Sequence, residues 1–314
     1  MTRYAARRLI SVVLALLGVT VLTFALGVLA PGDPAEVVLS RSLGQPPTDE
    51  QLAAMRHELG TDRPLPVQYL HWLAGAVRGD FGDSWVRGVR VQDAMVERIP
   101  RTVILALSAA GLSLLMGIPV GVVAATRRDS IVDHVSRAGA LFGASLPSFF
   151  TAYLLIYLFA VKFRAVPVFG FGSAAHLVLP AVTLALGPAA VLARFTRSTV
   201  LEVLGEDYVR TAAAKGVRGS AVLFRHALRN ALIPVVTIAG LSVGHLLGGS
   251  LIVERVFAWP GMGDLAVSAI QDRDYPLVQG FVLFAATVYL VVNLVVDLSY
   301  AYLDPRVRLE GRQG

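Results

Sequence analysis

At 314 residues, 55% of them hydrophobic and only 16% charged, with a mean hydropathy of +0.64, the chain is too apolar for a water-soluble domain, where about a quarter of residues are charged. Its formal net charge of +6 does not signal nucleic acid, because the arginines are spread among loops and termini rather than gathered on one face. With no cysteine, disulfides, thiolate metal sites and cysteine nucleophiles are excluded, and the redox compartment is left open.

Residues 9–30 form the first predicted span, an apolar run of spanning length behind Arg3, Arg7 and Arg8, which hold the N-terminus in the cytoplasm. That length argues for an uncleaved span rather than the core of a signal peptide. Pro-Gly-Asp-Pro at 31–34 ends it. Residues 33–101 are a long polar excursion of nearly balanced charge, expected outside the membrane. Within it Thr48 and Gln51 form a capping box, Leu52, Met55 and Leu59 follow at helical spacing, and Gly60 closes that helix. Pro66 opens a second amphipathic segment through Val67, Leu70, Leu73 and Val77, ended by Gly79.

Span two, residues 102–125, contains Gly117 and Pro119, and Arg127, Arg128 and Arg137 mark the following loop as cytoplasmic. Span three, residues 138–161, carries Pro147, which predicts a kink that serves either packing or a central pathway. Span four, residues 177–195, holds Pro180 and Pro188. Span five, residues 233–253, holds Gly240, Gly244, Gly248 and Gly249, small residues that let helices approach closely. Phe257 and Trp259 follow and are expected at the outer membrane interface. Span six covers residues 281–301, and Asp-Pro-Arg-Val-Arg at 304–308 ends the chain inside. The expected fold is all-α: one polytopic membrane domain of six transmembrane helices with both termini cytoplasmic, a long extracytoplasmic loop after the first span and a basic cytoplasmic segment, residues 197–230, between the fourth and fifth.

That segment carries Arg210, Lys215, Arg218, Arg225 and Arg229, so it lies on one side of the bilayer. Ala212, Ala213 and Ala214 favour a helix, and Gly216 suits the position just past its end. Ser220 is expected to cap a second helix running to Asn230, with Val222, Leu223, Ala227 and Leu228 on one face and Arg225 and Arg229 on another. Basic inner loops are common to membrane proteins, so charge alone assigns no role.

The order of residues says more. DYVRTAAAKGVRGSAVLFRHALRNALIP at 207–234 resembles the cytoplasmic loop of the permease subunits of binding-protein-dependent ABC importers, in the dipeptide/oligopeptide/nickel branch. RPLPVQYLHWL at 63–73, RGDFGDS at 78–84, SLPSFF at 145–150 and ERVFAWPGMGDLAVSAIQDRDYPLVQG at 254–280 resemble the same family in the same order. The wider importer pattern has a Glu six residues before its central Gly, and here that position is Arg210. The resemblance implies a transport subunit of the cell inner membrane rather than an enzyme. It also implies a coupling helix seated on an ATPase through Arg210, Thr211, Ala212, Ala213, Ala214, Lys215, Gly216, Val217, Arg218, Arg225 and Arg229. Implied partners are a second homologous permease, two cytoplasmic ATPases that hold ATP and Mg, and an extracytoplasmic solute-binding protein that delivers a di- or oligopeptide. Import of a nickel chelate or another small solute stays open within the same family, and a secondary carrier or channel without ATPases is the rival class.

The only lysines, Lys162 and Lys215, do not follow a glycine in a phosphate-loop pattern, and no H-E-x-x-H is present. The chain is therefore read as holding no catalytic residue, metal ligand or cofactor of its own. Polar groups within spans are functional candidates, so His245, Asn293 and Asp297 are taken with Pro147 as pathway candidates. His245 reads equally well as a satisfied packing residue, and Asp297 as a partner for a loop arginine.

Overall fold

The computed structural model describes residues 2–29 and 32–303; the predicted inner terminus at 304–308 and the side chains of Ala213, His245 and Asp297 lie outside the described residues. In chain order the helices are α1 (Thr2–Leu29), α2 (Pro34–Leu43), α3 (Asp49–Leu59), α4 (Leu65–Val77), α5 (Val91–Thr126) and α6 (Ile131–Ser145). Then come α7 (Ser148–Leu155), continued by π-helical turns at Ile156–Lys162, α8 (Ala174–Leu204), α9 (Asp207–Ala214), and α10 (Gly219–Ala221), continued by π-helical turns at Val222–Ala227. The last are α11 (Leu228–Gly249), α12 (Leu251–Val256), α13 (Met262–Asp272) and α14 (Tyr275–Leu303). Strand-like pairing among the described residues is limited to one isolated bridge, Asp83 to Arg90.

Among the described residues α1, α5, α8 and α14 are long and apolar enough to cross a membrane; counting each of two bent helix pairs, Ile131–Ser145 with Ser148–Lys162 and Gly219–Leu232 with Pro234–Gly240, as one span gives up to six. The chain divides into two compact units, Met1–Arg101 with Gly261–Val291, and Thr102–Pro260 with Val292–Gly314.

The first unit contains the polar excursion. Thr48 Oγ1 accepts from the Gln51 amide at 3.4 Å and Gln51 Oε1 accepts from the Thr48 amide at 2.9 Å, the expected capping box, and Gly60 ends α3 in the left-handed region at φ 68°. Pro-Gly-Asp-Pro does more than end the first span. Asp33 caps α2, its Oδ1 accepting from the Ala35 amide at 3.0 Å, while its Oδ2 pairs with Arg56 at 2.7 Å. α4 packs on α1, with Thr20 and Tyr69 hydroxyls 2.8 Å apart and Phe24 edge-on to Tyr69 at 5.5 Å. Val91, Met95, Met262, Leu265, Ala269 and Leu277 make this unit's buried core. Asp274, fully buried, accepts from the Ser84 hydroxyl and the Trp85 amide.

In the second unit three predictions need correction. Residues 138–161 are not one continuous helix: α6 and the Ser148–Lys162 helix meet at 107°. Leu146 is extended at φ −76°, ψ 129°, the conformation a following proline imposes, so Pro147 breaks the helix outright rather than kinking it. Residues 197–204 are the last turns of α8, which continues through Pro180 and Pro188, rather than loop. Phe257 and Trp259 are 1% and 2% exposed, with Trp259 edge-on to Phe171 at 5.0 Å. They are core residues packed with Leu105, Ala109 and Leu179, not an interfacial belt. The left-handed Ala258, at φ 49°, and the Trp259 amide donating to the Glu254 carbonyl at 2.8 Å turn the chain back and drive the indole inward.

Gly117 and Gly121 bring α5 onto α8. A Cβ on Gly121 would lie 2.5 Å from the Ala193 carbonyl oxygen, and one on Gly117 2.8 Å from that of Ala189, so the two helices touch backbone to backbone. Removing the buried indole by Trp259→Ala should cost about 3–5 kcal/mol, as large core truncations do. Thermal unfolding in detergent checks this, and an effect within the range of an exposed interfacial aromatic would refute the core assignment.

Candidate functional site

The basic segment forms a compact helical hairpin. α8 ends at Leu204, and α9 follows after a turn at Gly205. The end of α9 closes as a Schellman motif: the Val217 amide donates to the Ala212 carbonyl at 3.4 Å, with Gly216 at φ 80°, a conformation that glycine adopts without steric cost. Ser220 does not cap the second helix. Arg218 takes the extended cap position with no side-chain cap bond, and its carbonyl receives the Val222 amide at 3.0 Å, so Ser220 falls inside the first turn. The helix also runs past Asn230. With no breaker between Ser220 and Pro234, it passes through the π-helical turns into α11 and bends by 45° at Pro234.

Two sides of this hairpin differ sharply. Val209, Val222 and Ala227 are buried, and Leu223 and Leu228 pack with Val122, Val200 and Ala231. Asn230 Nδ2 donates to the Tyr208 hydroxyl at 2.7 Å, tying α9 to α11. On the other side Arg210, Thr211, Ala214, Lys215, Gly216, Val217, Arg218, Arg225 and Arg229 are exposed, and Ala212 is half-buried. Arg210 approaches Asp207 at 4.0 Å, while Phe224 stands 63% exposed among the cations. A rigid ridge of this kind, basic with an apolar tip, suits a groove on another protein.

The pathway candidates do not form one described cluster. Pro147 is the elbow between α6 and α7, beside a cavity of about 190 Å³ lined in part by Ser148, Thr151, Thr183 and Leu246. Its two threonines turn their hydroxyls to backbone carbonyls, Thr151 to Pro147 and Thr183 to Leu179. Asn293 is half-buried on α14; His245 and Asp297 lie on α11 and α14, with side chains outside the described residues.

Sequence reasoning passed over three features. Asp133, fully buried, accepts two bonds from Arg197, Nε at 2.6 Å and Nη2 at 2.7 Å, and a third from the Asp129 amide at 3.1 Å. This bidentate pair joins α6 to the last turns of α8, and Asp133, one of two acids between Arg128 and Arg137, was its available signal. Glu254, also fully buried, accepts from the Thr102 and Ser250 hydroxyls, each at 2.8 Å. Finally, Gly-Leu-Ser-Val-Gly at 240–244 has nucleophile-elbow spacing, but Ser242 is mid-helix and donates to the Ile238 carbonyl at 2.9 Å. It lacks the strand-to-helix turn that such a nucleophile needs.

Residues 117–309 match the family described as binding-protein-dependent transport system inner membrane component, and residues 1–106 match the N-terminal membrane component of the same systems. A probable peptide ABC transporter permease of Sinorhizobium fredii is 42% identical, over 97% of this chain and 99% of its own length. The dipeptide transport system permease of Escherichia coli K12 is 41% identical over 98% and 99%, and the glutathione transport system permease of Salmonella typhi 42% over 98% and 99%. Among solved structures, the inward-facing methionine ABC transporter MetNI has a TM-score of 0.51 at 20% identity, covering 65% of this chain and 95% of that one. An amino acid ABC transporter crystallised with histidines has a TM-score of 0.51 at 17% identity, covering 68% and 94%. These two likenesses concern the fold.

Because each side of the Asp133–Arg197 pair satisfies the other, Asp133→Ala and Arg197→Ala should each lower the unfolding temperature, and the double variant should lose less than the two single losses combined. Thermal unfolding of the four proteins of this cycle is the check. Additive losses would show that the two side chains do not depend on one another.

Proposed function

The chain belongs to the binding-protein-dependent transport system inner membrane components, and from that membership we propose that it is the permease subunit through which a peptide importer passes di- or oligopeptides. Relatives named for peptide, dipeptide and glutathione transport, at 41–42% identity along nearly the whole chain, support the substrate class. In this reading six spans cross the inner membrane with both termini in the cytoplasm. A second, homologous permease completes the pathway, an external solute-binding protein delivers the peptide, and two cytoplasmic ATPases hold ATP and Mg.

The observation that carries the mechanism is the two-sided hairpin at 207–230. Its exposed ridge, from Arg210 to Arg229, is the surface for the ATPase; its buried side is fastened to α8 and α11 by Val209, Val222, Ala227 and the Asn230–Tyr208 bond. ATP-driven closure of the ATPases displaces the ridge, and an element so fastened passes the displacement to the bases of two spans rather than absorbing it. Gly216 at φ 80° keeps the turn tight and presents backbone where a side chain would stand. The elbow at Pro147 and the adjoining cavity, with His245, Asn293 and Asp297, are the pathway candidates on the membrane side.

A side chain at Gly216 meets two obstacles: left-handed strain of about 1–2 kcal/mol, and bulk at the docking surface. Gly216→Asp should leave the subunit inserted and assembled while abolishing the extra ATP hydrolysis elicited by peptide-loaded binding protein. Gly216→Asn, which has the same size and tolerates positive φ without adding a negative charge, should retain part of it. Wild-type stimulation in the Asp variant would sink the proposal.

A further inference from the structure

We infer that the cavity between α5, α6 and α8 is a binding site for an anionic phospholipid of the leaflet bordering the Arg127–Arg128 turn. The cavity holds about 380 Å³, within the range of about 300–1,000 Å³ typical of small-ligand clefts. Its composition is divided. Val120, Ala124, Ala138, Ala140, Leu141 and Ala193 give an apolar wall, while Arg137, Arg194 and Arg197 give three guanidinium groups. That is the complement of an amphiphile with one anionic head.

Helical spacing explains how the cations converge. Arg137 follows Asp133 by four residues on α6, and Arg194 precedes Arg197 by three on α8, so each stands on the same helix face as a member of the buried ion pair. The Asp133–Arg197 bonds then set the two faces opposite one another. Asp133 is already satisfied by that bidentate contact and the Asp129 amide. Among the described residues neither Arg137 nor Arg194 makes an ion pair with an acidic side chain, and both are exposed. Three arginines against one carboxylate leave an excess of two positive charges at the cavity mouth. Gly121 shapes the floor: it lines the cavity, and its contact with the Ala193 carbonyl presses α5 against α8.

A phosphodiester head satisfies Arg137 and Arg194 with charge-assisted bonds, and its acyl chains lie along the wall from Val120 to Leu141, which water solvates poorly. A free phosphate would use the cations and leave that wall bare. Basic pockets between spans, close to a cytoplasmic surface, recognise anionic lipid heads for these reasons. The leaflet assignment rests on the proposed topology; the site itself rests on the cavity.

The test places the full chain, with the subunits that copurify, in nanodiscs of phosphatidylcholine mixed with phosphatidylglycerol, and reads retained lipid by native mass spectrometry after gentle extraction. Wild type should hold phosphatidylglycerol in preference to phosphatidylcholine. Arg137→Gln and Arg194→Gln should each weaken that preference about fivefold, and together about twenty-fivefold, given the usual strength of a single arginine near an anionic surface. Leu141→Trp, which fills the apolar wall and keeps every arginine, should also reduce retention. Three results would overturn the inference: equal retention in wild type and the double variant, displacement of the lipid by inorganic phosphate, which would mark a soluble-anion site, or displacement by a transported peptide, which would assign the cavity to the pathway. The readout is bound lipid, so it stands or falls separately from the transport role.

Discussion

Hydrocarbon offers a peptide group no hydrogen-bond partner, and this single deficit governs how the chain can be built. Every N–H and C=O at membrane depth must be satisfied by the protein itself. The response is helices throughout, with interruptions only where other groups take over. At the Pro147 elbow the Leu146 amide still reaches the Phe142 carbonyl, and the next helix begins at once with the Thr151 amide on the Pro147 carbonyl. At Ser250 the hydroxyl is spent on Glu254 and the Glu254 amide returns to the Ser250 carbonyl. Helical bonding thus runs up to each break and resumes directly after it.

The same economy governs the buried acids. A carboxylate out of water costs several kcal/mol unless it is fully bonded, and among the described residues three fully buried ones, Asp133, Glu254 and Asp274, each have donors from within their own unit. Asp274 takes Ser84 and Trp85, Glu254 takes Thr102 and Ser250, and Asp133 takes Arg197 and the Asp129 amide. Apolar packing leaves helices free to slide and rotate by small amounts. A carboxylate with fixed donors does not, so these three contacts set register where leucines and alanines cannot.

Features decided within a few residues were legible in the sequence. The capping box of Thr48 and Gln51, the left-handed Gly60 and Gly216, and the buried face of Val222 and Ala227 depend on local spacing that the structure reproduces. What depends on distant partners was not legible. Asp133 and Arg197 are 64 positions apart, so neither announces the other. An aromatic pair after a hydrophobic run fits an interface and a core equally well, and the turn at Ala258, which turns Trp259 inward, is a strained choice that no propensity predicts. Pro147 is compatible with a bend or a break, and only the surroundings decide which. Of the candidate site, the basic hairpin and its central glycine could be read directly, whereas the continuity of its second helix into α11 could not, because Ser220 offers a plausible cap that Arg218 pre-empts.

That continuity changes what the hairpin can do. A surface loop tethered by flexible ends would dissipate a push of a few ångströms through its own backbone torsions. Here the chain leaves α8 through one turn at Gly205, forms α9, turns once more at Gly216 and re-enters a helix that bends by 45° at Pro234. The single hinge-like position within the exposed ridge is closed by the Schellman bond, and the Asn230–Tyr208 contact ties its two arms together. The π-helical turns at Val222–Ala227 are anchored by buried Val222 and Ala227. On the proposed docking, a displacement of the ridge passes through these turns to the end of α8 and the start of α11, ahead of the bend at Pro234. In the proposed coupling role the helical continuity from Gly219 to Leu232 matters more than any single charged side chain on the segment.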